Sequence, residues 1–140
     1  MITYPFKKLA KYPHLMPKDV KIWERFIVQN PHYFVSVVYD VRVGEGMKLP
    51  DDAEEPYASD MYHLSKKRID VVGLKANEAW IIEVKPRAGF TAIGQALGLT
   101  ELYEPEGLLF QVIHPCIITD EEMPDIRGIC DRNGIVYLIA

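Results

Sequence analysis

Cysteine is almost missing from this chain: Cys116 and Cys130 are the only two in 140 residues. They are too few for a disulfide framework and lack CxxC spacing. The four histidines, His14, His32, His63 and His114, are scattered without an HxxxH pair or a Cys/His cluster. A structural zinc site therefore has no ligand set. No stretch approaches the ~18 uncharged apolar residues that a membrane span requires. The opening Met1-Ile-Thr-Tyr-Pro-Phe-Lys-Lys has no apolar run behind its charges, unlike a secretory leader, so a cytoplasmic location is expected. A basic excess is missing as well. The formal net charge is −4 and the pI about 5.5, whereas proteins that coat nucleic acid are basic, because phosphate neutralisation drives their binding. Any nucleic-acid role here must rest on a local basic surface.

What is present is a foldable core. The chain is 49% hydrophobic and 26% charged, with eight Tyr, five Phe and two Trp to bury, which excludes intrinsic disorder. Its length fits one domain, residues 1–140. Residues 1–16 are proline-broken and carry Lys7, Lys8 and Lys11, and read as an irregular basic arm. Pro17 suits the first turn of a helix, and Val20, Trp23, Phe26 and Ile27 recur at helical spacing up to Asn30-Pro31. That predicts a helix over 17–29. Residues 32–43 are rich in β-branched and aromatic side chains and predict a strand closed by Gly44-Glu45-Gly46. Residues 47–66 are acidic, hold Pro50 and Pro56 and show no period, and read as a solvated acidic loop.

Short strands at 68–74 and 79–85 flank Lys75-Ala76-Asn77-Glu78, a β-hairpin pattern. A helix is expected over 90–103, with Gly94 and Gly98 costing about 1 kcal/mol each against Ala and suggesting close packing. A strand over 108–119, a helix over 120–133 with Asp120 as N-cap and Gly134 as stop, and a strand over 135–140 follow. The order is α-β-β-β-α-β-α-β, an α/β chain without internal repeats or low-complexity tracts.

The segment DVVGLKANEAWIIEVK, Asp70 through Lys85, carries the chemistry. Alternate side chains of a strand share a face, so Glu83 and Lys85 point the same way. A hairpin symmetric about Ala76-Asn77 pairs Leu74 with Ala79, Val72 with Ile81 and Asp70 with Glu83. Opposed Cβ atoms then lie about 4.5–5.5 Å apart, and like charges placed so are destabilising. A hard cation between the two carboxylates would offset this. Mg²⁺ takes one or two carboxylates plus waters and substrate phosphate, and a neighbouring ammonium could orient an attacking water or stabilise phosphate charge. Together these groups suit metal-assisted hydrolysis of a phosphodiester. An acid two residues before a lysine is common; Asp19-Val-Lys21 also fits. Only Glu83-Val-Lys85 combines a strand-like run with a partner acid on the preceding strand. The plainer reading is a surface Glu–Lys pair worth about 0–1 kcal/mol.

An apolar helix, then a hairpin carrying Asp70 and Glu83-x-Lys85, then a helix bearing Gln95 in GQALGLTELY, resembles the PD-(D/E)XK nuclease superfamily, near its RecB-like and archaeal-type branches. The pattern of elements spans 17–119. The resemblance implies a restriction-endonuclease-like fold, a mixed central sheet flanked by helices, with Mg²⁺ or Mn²⁺ at the end of the hairpin. It also implies that a first-helix acid helps hold metal, and Glu24, on the edge of the apolar face, is the candidate.

Gln95 lies between Ala92, Leu99 and Leu102 at helical spacing. It is therefore expected within an apolar stripe, where its amide needs a partner. Lys66, Lys67, Arg68, Lys75, Lys85 and Arg87 cluster around the motif. Arg68 falls opposite Lys85 in the proposed register, and Lys67, Arg68 and Arg87 are the candidate phosphate contacts. The expectation is a Mg²⁺-dependent nuclease acting on DNA. In it Asp70 and Glu83 bind metal, Lys85 positions the water, Gln95 supports the site and Glu24 adds a ligand. By analogy, so small a domain needs a second copy to grip duplex DNA. The rivals are a non-catalytic nucleic-acid- or protein-binding module on the same fold, and a structural protein whose hairpin charges are surface decoration.

Overall fold

Pro17 starts the first long helix, as its missing N–H costs nothing there. In the computed structural model, which describes residues 2–107 and 109–140, the elements run β1 (Tyr4–Pro5), α1 (Pro17–Gln29), β2 (Ser36–Val43), α2 (Tyr57–Leu64), β3 (Lys67–Lys75), β4 (Glu78–Val84), α3 (Phe90–Tyr103), β5 (Val112–Thr119), α4 (Pro124–Arg132) and β6 (Val136–Ile139). The strands form one mixed sheet in chain order, β1 to β6. Each of the first four runs antiparallel to its neighbour, and β4, β5 and β6 are parallel. Parallel neighbours need a crossover, and α3 and α4 supply the two. Among the described residues no helix is long and apolar enough to cross a membrane.

The sheet's two faces are read off β4 by its period of two. Trp80, Ile82 and Val84 pack with Ile22, Trp23, Phe26 and Ile27 of α1. Ala79 and Ile81 face the other way, with Tyr103 of α3. Ala92 and Ala96 of α3 pack beside Ile126 and Cys130 of α4. Both cysteines are buried and free. Glu83 continues the row of Ala79 and Ile81, so it opens on the α3 side.

Several sequence expectations need correction. The arm is not irregular throughout: Tyr4 and Pro5 pair with Val37 and Ser36, and Phe6 and Tyr12 are buried. Phe6 meets Trp23, Phe26 and Phe34 edge-on with ring centroids 5.6, 6.1 and 5.4 Å apart. A two-residue strand beside prolines leaves no periodic signal. The acidic loop contains α2, none of whose residues is buried, so it has no apolar stripe to announce it. Leu108, the expected start of the fifth strand, lies outside the described residues; β5 begins at Val112. Asp120 does not cap α4. Met123 stands there without a side-chain bond, and Asp120 Oδ1 instead accepts the Arg87 N–H at 2.8 Å. Gly94 and Gly98 mediate no close packing, since a Cβ at either would meet nothing within 4 Å.

The turn end of the hairpin is held by Lys75, whose ammonium sits 4.0 Å from the ring centroid of Tyr33 and 4.7 Å from that of Trp80. Asn77, at the second position of the turn, takes a left-handed conformation with φ 61°, which asparagine tolerates. These local features fix the register that carries the site.

Candidate active site

The hairpin ladder pairs Leu74 with Ala79, Val72 with Ile81 and Val71 with Ile82. Asp70 and Glu83 are the next residues in that register, just beyond the last paired rung. Both line one groove of about 510 Å³ together with Lys66, Lys67, Arg68, Gln95 and Leu99. The expected opposition of Arg68 and Lys85 does not form: Arg68 pairs with Arg42 on β2, and the ladder with β4 has ended before it.

Glu83 is only 8% exposed, and its pKa is pushed up to about 8 by burial, then by the charge of Asp70, with Lys85 opposing. Asp70 is raised to about 6 by burial and by Asp19, with Arg68 opposing more than Lys85 does. No hydrogen bond relieves either carboxyl among the described residues. Lys85 is exposed at the end of β4. Its N–H donates to Ile118 O at 3.1 Å, which fixes its backbone against β5, and it does not line the groove.

Comparison of the chain with protein-family models, with curated proteins and with solved structures finds no match.

The first-helix acid is a correction. Glu24 Oε2 accepts the Tyr12 hydroxyl at 2.7 Å, and Glu24 lines a separate groove with Lys8, Lys21 and Arg25. The acid on α1 that acts on the site is Asp19, which raises the pKa of both Asp70 and Glu83. Its own carboxyl is raised by burial, with Lys85 opposing. The sequence did hold a signal, the Asp19-Val-Lys21 triplet, but nothing in it located the start of α1 beside the hairpin's open end.

Gln95 is exposed in the groove rather than set in an apolar stripe. The buried stripe of α3 is Ala92, Ala96, Thr100 and Tyr103, which turns Gln95 toward the carboxylates' side and leaves its amide free of any burial penalty. Arg87 does not line the groove. It is exposed, left-handed at φ 45°, and its Nε lies 3.3 Å from Glu121 Oε2.

Arg68 is the most constrained cation of the groove. Its Nη1 contacts His14 Nδ1 at 2.9 Å, and its Nε lies 3.7 Å from Asp40 Oδ1. His14 and Asp40 are both left-handed non-glycine residues, with φ 63° and 54°, a conformation that costs free energy and collects at functional positions. Asp40 is skipped in the β2–β3 ladder between the Tyr39–Val71 and Val41–Ile69 pairs, directly across from Asp70. Neither His14 nor Asp40 was legible as a site residue, since each reaches Arg68 only through the fold.

Asp70 and Glu83 suit a hard cation. They are acids only, mutually repelling, raised in pKa and without hydrogen bonds, and they border a groove open to water. Among the described residues no cluster of three or more His, Cys, Asp or Glu side chains joins to hold a metal ion. A cation here would rely on two protein carboxylates, with water or substrate oxygens completing its shell, which is the usual situation for Mg²⁺.

Proposed function

We propose that the chain is a Mg²⁺-dependent nuclease, of PD-(D/E)XK type, that hydrolyses phosphodiester bonds in DNA. The observation that carries this reading is the meeting of Asp70 and Glu83 in one groove whose other polar lining is cationic or amide. Acid groups alone would repel a polyanion; Lys66, Lys67 and Arg68 beside them offset that repulsion. The mixed sheet with helices on both faces is the architecture such enzymes use, which supports the reading at the level of fold.

Asp70 and Glu83 would hold Mg²⁺ or Mn²⁺, which when bound supplies Lewis-acid stabilisation of phosphate charge and a more acidic water. Burial in the metal-free protein favours the protonated acids, so loading the site releases protons. Lys85, in electrostatic reach of both carboxyls, orients the attacking water and offsets charge building on the phosphate. Gln95, exposed in the groove, offers an amide N–H to a phosphate oxygen or its carbonyl to a water. Arg68, oriented by His14 at its Nη1 and by the nearby charge of Asp40, presents its remaining N–H groups to a neighbouring phosphate.

Purified protein with Mg²⁺ or Mn²⁺, offered duplex, single-stranded and branched DNA and RNA, should cleave at least one, and Asp70→Asn should abolish it. Nucleic-acid binding without cleavage in the presence of any divalent cation would select the non-catalytic module on the same fold, the reading that the chain's acidic balance and short length favour.

A further inference from the structure

Lys8, Lys21 and Arg25 line a shallow groove of about 350 Å³ between the N-terminal arm and α1. Lys18, Lys21 and Arg25 follow one another at three and four residues, so they stand on one helix face, spanning about 10 Å along the axis at 1.5 Å per residue. That length equals the axial rise of three phosphates of one strand of a duplex, about 3.4 Å each. With Lys7 and Lys8 of the arm, every one of these cations is exposed.

The two acids of the same region are half-buried, and Glu24 itself lines this groove. Glu24 accepts the Tyr12 hydroxyl, and Asp19 is half-buried at the hairpin end, near Lys85. The outer face of the arm and α1 therefore presents Lys7, Lys8, Lys18, Lys21 and Arg25, the last donating to Ala140 O at 3.2 Å, against one half-buried, hydroxyl-bonded acid, Glu24, on a chain of net charge −4. The excess acids fall elsewhere, mainly in 45–60 and 101–131. An even scatter of charge would keep the protein soluble equally well. This segregation calls for a polyanion.

We infer that the outer face of the arm and α1 is a second nucleic-acid surface, which binds the sugar–phosphate backbone away from the cleavage groove. The choice of partner rests on the nuclease reading; the surface itself does not. α1 packs on the sheet face opposite α3, yet its first turn reaches the carboxylates through Asp19. The proximity of Asp19 to Lys85 puts the start of α1 near the end of β4, and Lys18, Lys21 and Arg25 continue along the helix from there. An anionic lipid surface fits less well: Ile22, Trp23, Phe26 and Ile27 of α1 are buried in the core, and the one exposed apolar side chain in the groove, Val28, is too little to insert.

The test is a triple variant, Lys8→Gln, Lys21→Gln and Arg25→Gln, measured against wild type by fluorescence anisotropy on labelled duplex and single-stranded DNA. Ca²⁺ replaces Mg²⁺ to prevent cleavage, and salt is varied. Each lost phosphate contact should reduce the log–log salt slope by ~0.9 on duplex or ~0.7 on a single strand. The variant should therefore lose about two to three units of slope and at least tenfold in affinity at low salt, with circular dichroism and melting temperature unchanged. In a cleavage assay KM should rise while kcat at saturation stays.

An unchanged slope and affinity in a folded variant overturns the proposal, as does wild type binding anionic vesicles but no nucleic acid. A kcat that falls together with unchanged binding overturns it too. The nuclease reading fails separately. DNA binding that depends on these cations, without cleavage, would sink the nuclease and keep the surface. Cleavage with variant binding unchanged would do the reverse.

Discussion

Replacing Glu83 with glutamine should stabilise the metal-free protein at neutral pH and remove most of its alkaline weakness. Glu83 has a folded pKa of about 8 against an ordinary 4.5. A raised acid binds more protons folded than unfolded, so stability is full below the unfolded pKa and falls as pH rises toward the folded one. The slope approaches 1.4 kcal/mol per pH unit between the two values. From pH 5 to 7.5 the loss is roughly 3 kcal/mol, or about 10 °C of melting temperature for a domain of this size. Asp70, raised to about 6, adds to the fall at the acidic end of that window. Glu83→Gln carries no charge to desolvate, so at pH 5 it should match wild type and at pH 7.5 exceed it by about that 3 kcal/mol. The assay is thermal unfolding by circular dichroism in EDTA across pH 5–8. Every other group is common to both proteins, so the comparison isolates residue 83. A Glu83→Gln protein that loses stability with the wild-type slope would refute the burial argument.

The cation offers a second check. Mg²⁺ or Mn²⁺ should raise the melting temperature of wild type, because a ligand of the native state stabilises it by mass action. Asp70→Asn should melt higher than wild type without metal and gain much less from it; equal gains in both would place the cation elsewhere. Lys85→Ala should abolish cleavage while Mn²⁺ affinity, followed by calorimetry, stays within a few-fold, since an ammonium is no ligand; retained activity would remove its assigned role. Glu24→Gln should leave Mn²⁺ affinity intact, whereas Asp19→Asn should lower the pH midpoint of the metal-free stability loss, because Asp19 raises both carboxyls. The opposite pattern would restore Glu24 as the helix acid. Phe6→Ala should cost about 3–5 kcal/mol, as large aromatic deletions in cores do, and urea unfolding showing under 1 kcal/mol would mean the arm is not part of the core.

The hairpin and its pair of acids were legible because their causes are local. A two-residue turn at Ala76-Asn77 and a period of two place Asp70 and Glu83 in one register whatever surrounds them. The helix at 17–29 was equally plain, since Pro17 and the spacing of Trp23, Phe26 and Ile27 are properties of the segment itself. Which acid of that helix reaches the hairpin was not a local matter. Asp19 and Glu24 both border the apolar face, and the choice between them depends on where α1 crosses the sheet, which core packing decides. The same holds for Gln95, whose side of α3 was settled by Ala92 and Ala96 docking beside α4. Arg87 followed the motif in sequence but left the groove when Glu121, from the far side of a crossover, took its guanidinium. His14 and Asp40 are 26 residues apart in sequence, yet both hold Arg68. Short-range order can be read along a chain because neighbours determine it. Long-range choices are made by the burial of a whole face at once, and no window of sequence contains the residues that compete for it.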